Sequence, residues 1–540
     1  MIFRANAIDF YYPGSQYIFR NLSIDIPEGI TAIIGDNGSG KSTLLNILVG
    51  DLEIKSGSVE SSGNYMYIRQ DISGIEYKNI LDIFGVLECF EAILKVENGE
   101  FSEDIYDAIG DHWNIENDIF SFIYRNSFVE ATLINKEDEH DIRKFLTRDL
   151  GYFSQGEIVN LIILSIKYWD PAVVLMDEPT NNLDAESRES LYLYIKNSNK
   201  SFIIISHDYS LLRLVDTVVD VHKNLDGVSL VDIFYGNIDE YDKEMEHHNS
   251  IVEKRVVNAK KSLKNAKRRW VEAQEIISRN KSKVWKDDQP DTVLALAKEA
   301  SNNAADKLRE IRRSKLNDSL SRYTEEQKKF RKKKEIYFKF YVESNKNDRL
   351  LLSISSINPS GSKVYISFGD RLRILGSNGS GKTRLITDIY NSILSKCFDK
   401  KNSKYIVESY GCSVEYIPQS IVFDPKLTLQ DIIRLRNSEI SYIEMRNKLA
   451  ELLFPGDFID RELCTLSGGE KVRACIASIF LSEKFPDLLI MDEPTNNLDI
   501  QSIDWLAKAV SIFPGAVIFV SHDEYFCEKI NITSTIEVEK

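Results

Sequence analysis

One short pattern, written twice, constrains this chain of 540 residues more than any other feature. Gly35-Asp-Asn-Gly-Ser-Gly-Lys41-Ser42 and Gly376-Ser-Asn-Gly-Ser-Gly-Lys382-Thr383 both read G-x-x-x-x-G-K-[ST]. Each follows an apolar run, residues 30–34 and 372–375, and opens a stretch with helical patterning. A strand–loop–helix unit is therefore predicted at both places. Glycines 35, 38 and 40, and 376, 379 and 381, let successive backbone N–H groups turn toward one anion. A helix N-terminus behind the loop adds partial positive charge. Lys41 and Lys382 supply full charge for terminal phosphates, while Ser42 and Thr383 offer hydroxyls to Mg²⁺. Asn37, Ser39 and Thr43 in the first loop, with Asn378 and Ser380 in the second, complete the expected nucleotide contacts.

Companion motifs recur in the same order. After the first loop come Gln70, Phe153-Ser154-Gln155-Gly156-Glu157, an apolar run into Asp177-Glu178, Asn181-Asn-Leu-Asp184 and Ser206-His207-Asp208. After the second come Gln419, Leu466-Ser467-Gly468-Gly469-Glu470, an apolar run into Asp492-Glu493, Asn496-Asn-Leu-Asp499 and Ser521-His522-Asp523. The last three pairs share one offset of 315 residues, so the chain is an internal duplication. The first copy carries roughly 35 extra residues between its glutamine and its Phe-Ser-Gln-Gly-Glu run.

Met-Asp-Glu-Pro-Thr-Asn-Asn-Leu-Asp, at 176–184 and again at 491–499, resembles the ATP-binding-cassette superfamily, and its wording is similar to the F branch. Phe234-Tyr-Gly-Asn-Ile-Asp-Glu-Tyr241 also looks like that branch. The resemblance covers nearly the whole chain. It implies a twin-cassette ATPase using ATP and Mg²⁺, with many relatives acting on ribosomes. In such proteins the cassettes pair head-to-tail, so Lys41 would face Ser467, Gly468 and Gly469, and Lys382 would face Ser154 and Gly156. Asp177 and Asp492 would orient Mg²⁺, aided by Ser42, Thr383, Gln70 and Gln419. Glu178 and Glu493 would polarise the attacking water, and His207 and His522 would contact the γ-phosphate. These are positioning and charge-stabilising roles around a phosphoryl transfer.

The two sites are expected to differ. Tyr12, about 23 residues before the first loop, is an aromatic platform for adenine; the matching region at 357–361 has none. Gln155 stands where the second copy has Gly468, and is expected to restrict backbone approach to phosphate. Both departures fall on the site built around Lys382, which is therefore expected to bind or turn over ATP less well.

Net charge is −15, which taken alone argues against a nucleic-acid partner. The average hides a split: residues 241–345 carry +10 and the remainder −25. Lys260-Lys261, Lys267-Arg268-Arg269 and Arg331 to Lys334 are the densest clusters. Any single cluster also reads as a solvated helix face, but the whole segment favours a polyanion. Val252, Val256, Ala259, Leu263, Ala266, Trp270, Ala273 and Ile277 step by four and three in turn, a heptad seam. A polar stretch with Pro290 breaks the helix. A second seam runs through Leu294, Ala297, Ala304, Leu308 and Ile311, then slips by one residue to Leu316, Leu320, Tyr323, Phe330 and Tyr337. An antiparallel hairpin with arms of about 60 Å is predicted. Trp285, beside Lys283 and Lys286 in the turn, reads equally as a packing residue or as a base-stacking one.

The predicted fold is α/β: two P-loop cassettes, 1–240 and 346–540, joined by a long antiparallel helical hairpin, 241–345. An enlarged helical subdomain at about 74–150 is expected in the first cassette, in preference to a partner-docking arm. No run approaches the roughly 20 apolar residues of a membrane span, and the chain opens in a strand-like segment with no visible leader. The six cysteines show neither C-x-x-C nor metal spacing, which fits a reducing cytoplasm. The expected partner is the ribosome, its rRNA and tRNA near the exit site and peptidyl-transferase centre, with the chain working as a monomer. A translation factor and an antibiotic ribosomal-protection protein remain equal readings. The rivals are a regulatory or DNA-associated cassette ATPase and the motor half of a transporter.

Overall fold

The computed structural model describes residues 1–14, 16–69, 77–126, 128, 131, 134, 138–181, 183–224, 226–282, 291–328, 338, 349–356, 363–376, 379–395, 405–456, 458–496 and 498–538. Two compact units are present: Met1–Ile238 with Glu335–Lys540, and Asp239–Lys334.

In the first cassette a six-stranded sheet runs in the spatial order Tyr65–Ile68, Val173–Asp177, Ser201–Ile205, Ile30–Ile34, Thr217–Lys223, Ser229–Tyr235. The first five strands are parallel and the last antiparallel. The second cassette repeats the parallel core as Val414–Ile417, Leu488–Asp492, Ala516–Val520, Arg371–Leu375, Ser534–Glu537. These central strands are continuous apolar runs because helices cover both faces, leaving no solvent side to favour alternation. Val173–Asp177, Leu488–Asp492 and Ala516–Val520 are buried at every position. This strand order sets the Asp-Glu strand, the Ser-His-Asp strand and the phosphate-loop strand side by side. Three motifs far apart in sequence thus leave the sheet at its carboxyl edge, where open α/β sheets bind ligands. A three-stranded antiparallel sheet completes each cassette: Phe19–Ile26, Phe3–Phe10, Ser56–Ser61, and Val364–Ser367, Leu350–Ser356, Tyr405–Ser409.

The extra residues of the first cassette form helices Ile80–Ile83, Leu87–Glu97, Glu103–Ile109, Ile115–Arg125 and Glu139–Leu146, against Leu429–Arg436 and Tyr442–Glu451 in the second. Phe120, Phe128, Phe145 and Phe153 form a chain of ring contacts with centroids 6.0–6.5 Å apart. Phe153 immediately precedes the capping serine Ser154. Arg143 ties three of these helices together, bonding Glu97 at 2.8 Å and Glu116 at 3.0 Å. The insertion is therefore a packed helical subdomain sharing one core with the signature helix. Among the described residues, no helix is long and apolar enough to cross a membrane.

The second unit consists of helices Ile238–Ser282 and Asp291–Lys328. Every predicted seam position from Val252 to Ala273 is buried or half-buried, while almost every residue between them is exposed. The second helix departs from expectation. Ile311 is 46% exposed and Leu320 48% exposed, whereas Arg309, Arg312, Leu316, Ser319, Tyr323 and Glu326 form the sheltered row. That row keeps an unbroken three–four step, so no register slip occurs between Arg309 and Glu326 among the described residues. Long arginine stems can line a seam while their heads reach water, which polarity-based reading does not detect. The side chains of Ile277, Leu294, Ala297, Ala304 and Leu308, the turn with Trp285 and Pro290, and Arg331 to Lys334, Phe330 and Tyr337 lie outside the described residues.

Candidate active site

Gly35, Gly38 and Gly40 adopt φ of 144°, 75° and 104°; Gly376, Gly379 and Gly381 adopt 151°, 77° and 100°. Side chains are rarely tolerated there, and at Gly35 a Cβ would sit 2.1 Å from the Val221 carbonyl. The helices behind begin at Lys41 and Lys382. The first has no side-chain cap, so its leading N–H groups face the loop. Lys41 Nζ donates to Gly35 O at 2.8 Å, and Lys382 Nζ to Gly376 O at 2.8 Å. Both lysines are buried, which pulls their pKa down, while Glu178 and Glu493 respectively pull it back up. Ser42 and Thr383 are exposed at the helix starts. Tyr12 reaches the same loop, its hydroxyl 3.4 Å from Thr43 Oγ1. Asn378 and Gln70 lie outside the described residues, as does the stretch at 357–361.

Asp177 and Asp492 end their strands buried, and Glu178 and Glu493 follow at φ 50° and 46°. Non-glycine residues in this region store roughly 1–3 kcal/mol and concentrate at functional sites. Both are pinned by the neighbouring strand, Glu178 N to Ile205 O at 2.8 Å and Glu493 N to Val520 O at 3.0 Å. Beyond the backbone the two diverge. Glu178 Oε1 lies 3.3 Å from His207 Nε2. Burial, then Asp177, pushes the Glu178 carboxyl well above the carboxylate range, and burial drives His207 down. Glu493 Oε2 instead accepts from Gln419 Nε2 at 3.0 Å and Asn496 Nδ2 at 2.5 Å. Burial, then Lys382, holds His522 down at about 4. Both histidines are neutral at pH 7 in this setting.

The donor set suits ATP with Mg²⁺. Burial raises the Asp492 pKa, the Thr383 and Tyr416 hydroxyls pull against that larger effect, and Asp492 Oδ2 is buried without a hydrogen-bond partner. Ser39 Oγ, Ser380 Oγ and His522 Nε2 are likewise buried and unbonded around the two loops. Unsatisfied buried polar atoms are costly, and these sit on the phosphate loops and the Asp-Glu and Ser-His-Asp turns. Hydroxyl and carboxylate oxygens are hard ligands that match Mg²⁺.

The cassettes complete each other's sites. Asn37 N, in the first loop, donates to Asp499 Oδ2 of the second cassette at 3.1 Å. Asp499 also caps the helix Ile500–Ile512 through Ser502. A Cβ on Gly469 would stand 3.1 Å from Ser502 Oγ, so the Ser467–Gly469 turn is packed on that same helix. Asp184 mirrors it, capping Ala185–Asn197, and its charge acts on Lys382. Tyr209 and Tyr525 stack across the pair, centroids 3.7 Å apart and planes within 2°. Sequence reading gave Asp184 and Asp499 no role, although an aspartate with serine three residues later is a helix-cap signal in both copies.

Ser154 and Ser467 each cap a helix and close a capping box with Glu157 and Glu470. Glutamine at 155 is compatible with the local backbone. Gln155 opens the helix Gln155–Trp169, and at the equivalent Gly468 a Cβ would meet nothing within 4 Å. Neither position has positive φ, so backbone conformation does not require glycine there.

A family model described as "ABC transporter" matches residues 19–181 and 360–496. The chain is 28% identical to "Probable ATP-binding protein YbiT" of Escherichia coli O157:H7 over 537 residues, covering 96% of this chain and 92% of that protein. It is 26% identical to "ABC transporter F family member 5" of Arabidopsis thaliana, covering 97% of this chain and 73% of that one. Among solved structures it resembles an archaeal ribosome recycling factor crystallised with the stalk protein aP1. There the TM-score is 0.52 at 17% identity, covering 97% of this chain and 86% of that one.

Proposed function

This chain belongs to the ATP-binding-cassette family, in its F branch of twin-cassette ATPases, and from that premise we propose that its ATP cycle works on the ribosome through the basic hairpin. The observation that carries this reading is the hairpin itself. It carries +10 on residues 241–345 against −25 elsewhere. Lys260, Lys261, Lys264, Lys267, Arg268 and Arg269 all stand exposed on its first helix. A groove of about 490 Å³ between the two helices is lined by Lys261, Arg269, Arg312, Lys315 and Arg322. Clustered cations on a rod match a phosphate backbone, whose counterions they displace. The F branch implies the target: ribosomal RNA and tRNA near the exit site, reached in the cytoplasm by a monomer as translation factor or antibiotic-protection protein.

Each composite site performs the hydrolysis with its own residues. Bound Mg²⁺ supplies divalent charge to the phosphates. Lys41 and Lys382, with the glycine amides, hold the phosphates. Ser42 with Asp177, and Thr383 with Asp492, would be the oxygen ligands of Mg²⁺, and the family resemblance assigns Gln70 and Gln419 to the same shell. Glu178 and Glu493 take the proton of the attacking water, and the neutral His207 and His522 donate toward the terminal phosphate. Ser154 with Gly156, and Ser467 with Gly468 and Gly469, close each site from the opposite cassette. Tyr12 stacks the first adenine.

A chain carrying Glu178→Gln and Glu493→Gln together should accumulate on ribosomes in a sucrose gradient when ATP is present. Its persistence in the free fraction would refute the ribosomal assignment. Migration with duplex DNA instead would favour the DNA-associated reading.

A further inference from the structure

Arg188, on the helix Ala185–Asn197, is 13% exposed and reaches three catalytic segments at once. Its Nε donates to Leu183 O at 3.0 Å, the residue before Asp184. Its Nη1 donates to His522 O of the other cassette at 3.3 Å. The same Nη1 lies 3.7 Å from Asp208 Oδ2, beside His207. Leu183 and His522 both belong to the site built on Lys382: the charge of Asp184 acts on Lys382 and on His522 alike. Asp208 has other holders, the Tyr192 hydroxyl and the Ser210 amide, so it does not depend on Arg188.

The duplication offers no counterpart. At the shared offset of 315, position 503 is isoleucine, 2% exposed. An isoleucine side chain has no donor, so position 503 cannot join Leu498 and His207 around the first site. A guanidinium offers several donors in a rigid plane, which lets one side chain fix two carbonyls in a set relation. One of those carbonyls lies in each cassette, so the arrangement exists only when the pair is closed.

We propose that Arg188 is a positioning residue for the second site alone, setting His522 against the Asp184 loop on closure, so that the two sites turn over under different control. This rests on the assignment of Glu178 and Glu493 as the water-polarising residues. Separation from that assignment comes from single-site backgrounds. Glu493→Gln leaves the first site to be read and Glu178→Gln leaves the second.

The experiment adds Arg188→Gln to each background and measures phosphate release against ATP concentration. In the Glu178→Gln background kcat should fall by on the order of ten- to a hundredfold, with KM moving less than about threefold, because misplacement acts on the chemical step. In the Glu493→Gln background the rate should change by less than about threefold. Arg188→Lys, which keeps charge but not the fork, should fall between wild type and Arg188→Gln in the Glu178→Gln background, and it substitutes for Arg188→Gln if that variant does not fold. Equal losses in both backgrounds, a loss confined to KM, or no loss in either would each overturn the proposal. Full turnover in the double glutamate variant would instead refute the glutamate assignment.

Discussion

The two Asp-Glu turns are copies of one motif on one sheet position, yet they hold their glutamates differently. Glu178 is buried against His207 at 3.3 Å. Glu493 is held by the amides of Gln419 and Asn496. Backbone geometry is shared, φ 50° against 46°, because both are anchored to the adjacent strand. The lesson is that strand order fixes where a catalytic carboxylate stands, while local packing sets its charge state and its hydrogen-bond partners.

The largest test of that contrast is removal of each carboxylate in turn. Glu178→Gln and Glu493→Gln should each lose the turnover of one site, by on the order of 10²-fold or more at that site. The Glu178→Gln variant should lose the larger share of total phosphate release, since Tyr12 stands beside the first loop and the matching sequence at 357–361 has no aromatic. Equal losses would end the claim of inequality. Next in size is the amide hold. Asn496→Ala should slow the second site by roughly tenfold, in line with one hydrogen bond to a charged group, whereas Asn181→Ala should slow the first by much less. Steady-state rates in the matching glutamate backgrounds decide this.

A smaller effect is the pH response. Burial raises the Glu178 carboxyl above its ordinary value, so this group gains competence as a base as pH rises through neutrality. Turnover left in the Glu493→Gln variant should therefore climb several-fold across neutral pH. A flat profile would remove the electrostatic half of the contrast. The linked stability effect has the opposite sense. A carboxyl whose folded pKa is raised keeps its proton better in the folded state, so stability falls as pH rises from the unfolded value toward the folded one. Glu178→Gln removes that penalty and should raise Tm most on the alkaline side of this window.

Smaller still is the shared strain. Glu178→Gly and Glu493→Gly should each stabilise by about 1 kcal/mol in thermal melts, relative to alanine at the same positions. The smallest expected change belongs to Gln155→Gly, within about 0.5 kcal/mol in stability. Its phosphate release should match wild type, because the backbone there is helical and has no positive φ. A large gain in second-site turnover would restore the view that glutamine hinders phosphate approach.

Much of the molecule is legible without coordinates. The phosphate loops, the Asp-Glu turns and the Ser-His-Asp turns announce themselves because each demands particular residues at adjacent positions. The first hairpin seam is legible too, since apolar residues fall on a strict heptad from Val252 to Ala273. The second seam is not, because Arg309, Arg312 and Ser319 fill positions where polarity predicts none. Asp184 and Asp499 carry a cap signal but no sign of which loop they serve across the pair. Arg188 carries no signal at all: its meaning lies in three acceptors, the outermost of which, Leu183 and His522, stand 339 positions apart.

What the amino-acid order determined by itself is therefore local: loops that need glycine at positive φ, strands that need unbroken apolar runs, a helix seam that needs a heptad. Each requirement is met by residues a few positions apart, and so is written in the chain. Which histidine touches which glutamate, which aspartate meets the facing loop, and where one guanidinium can reach two carbonyls were decided only by tertiary structure. Those relations depend on distances of about 3 Å between segments that lie from tens to hundreds of residues apart. Such distances arise from how two sheets and their helices close, a property that no stretch of neighbouring residues contains.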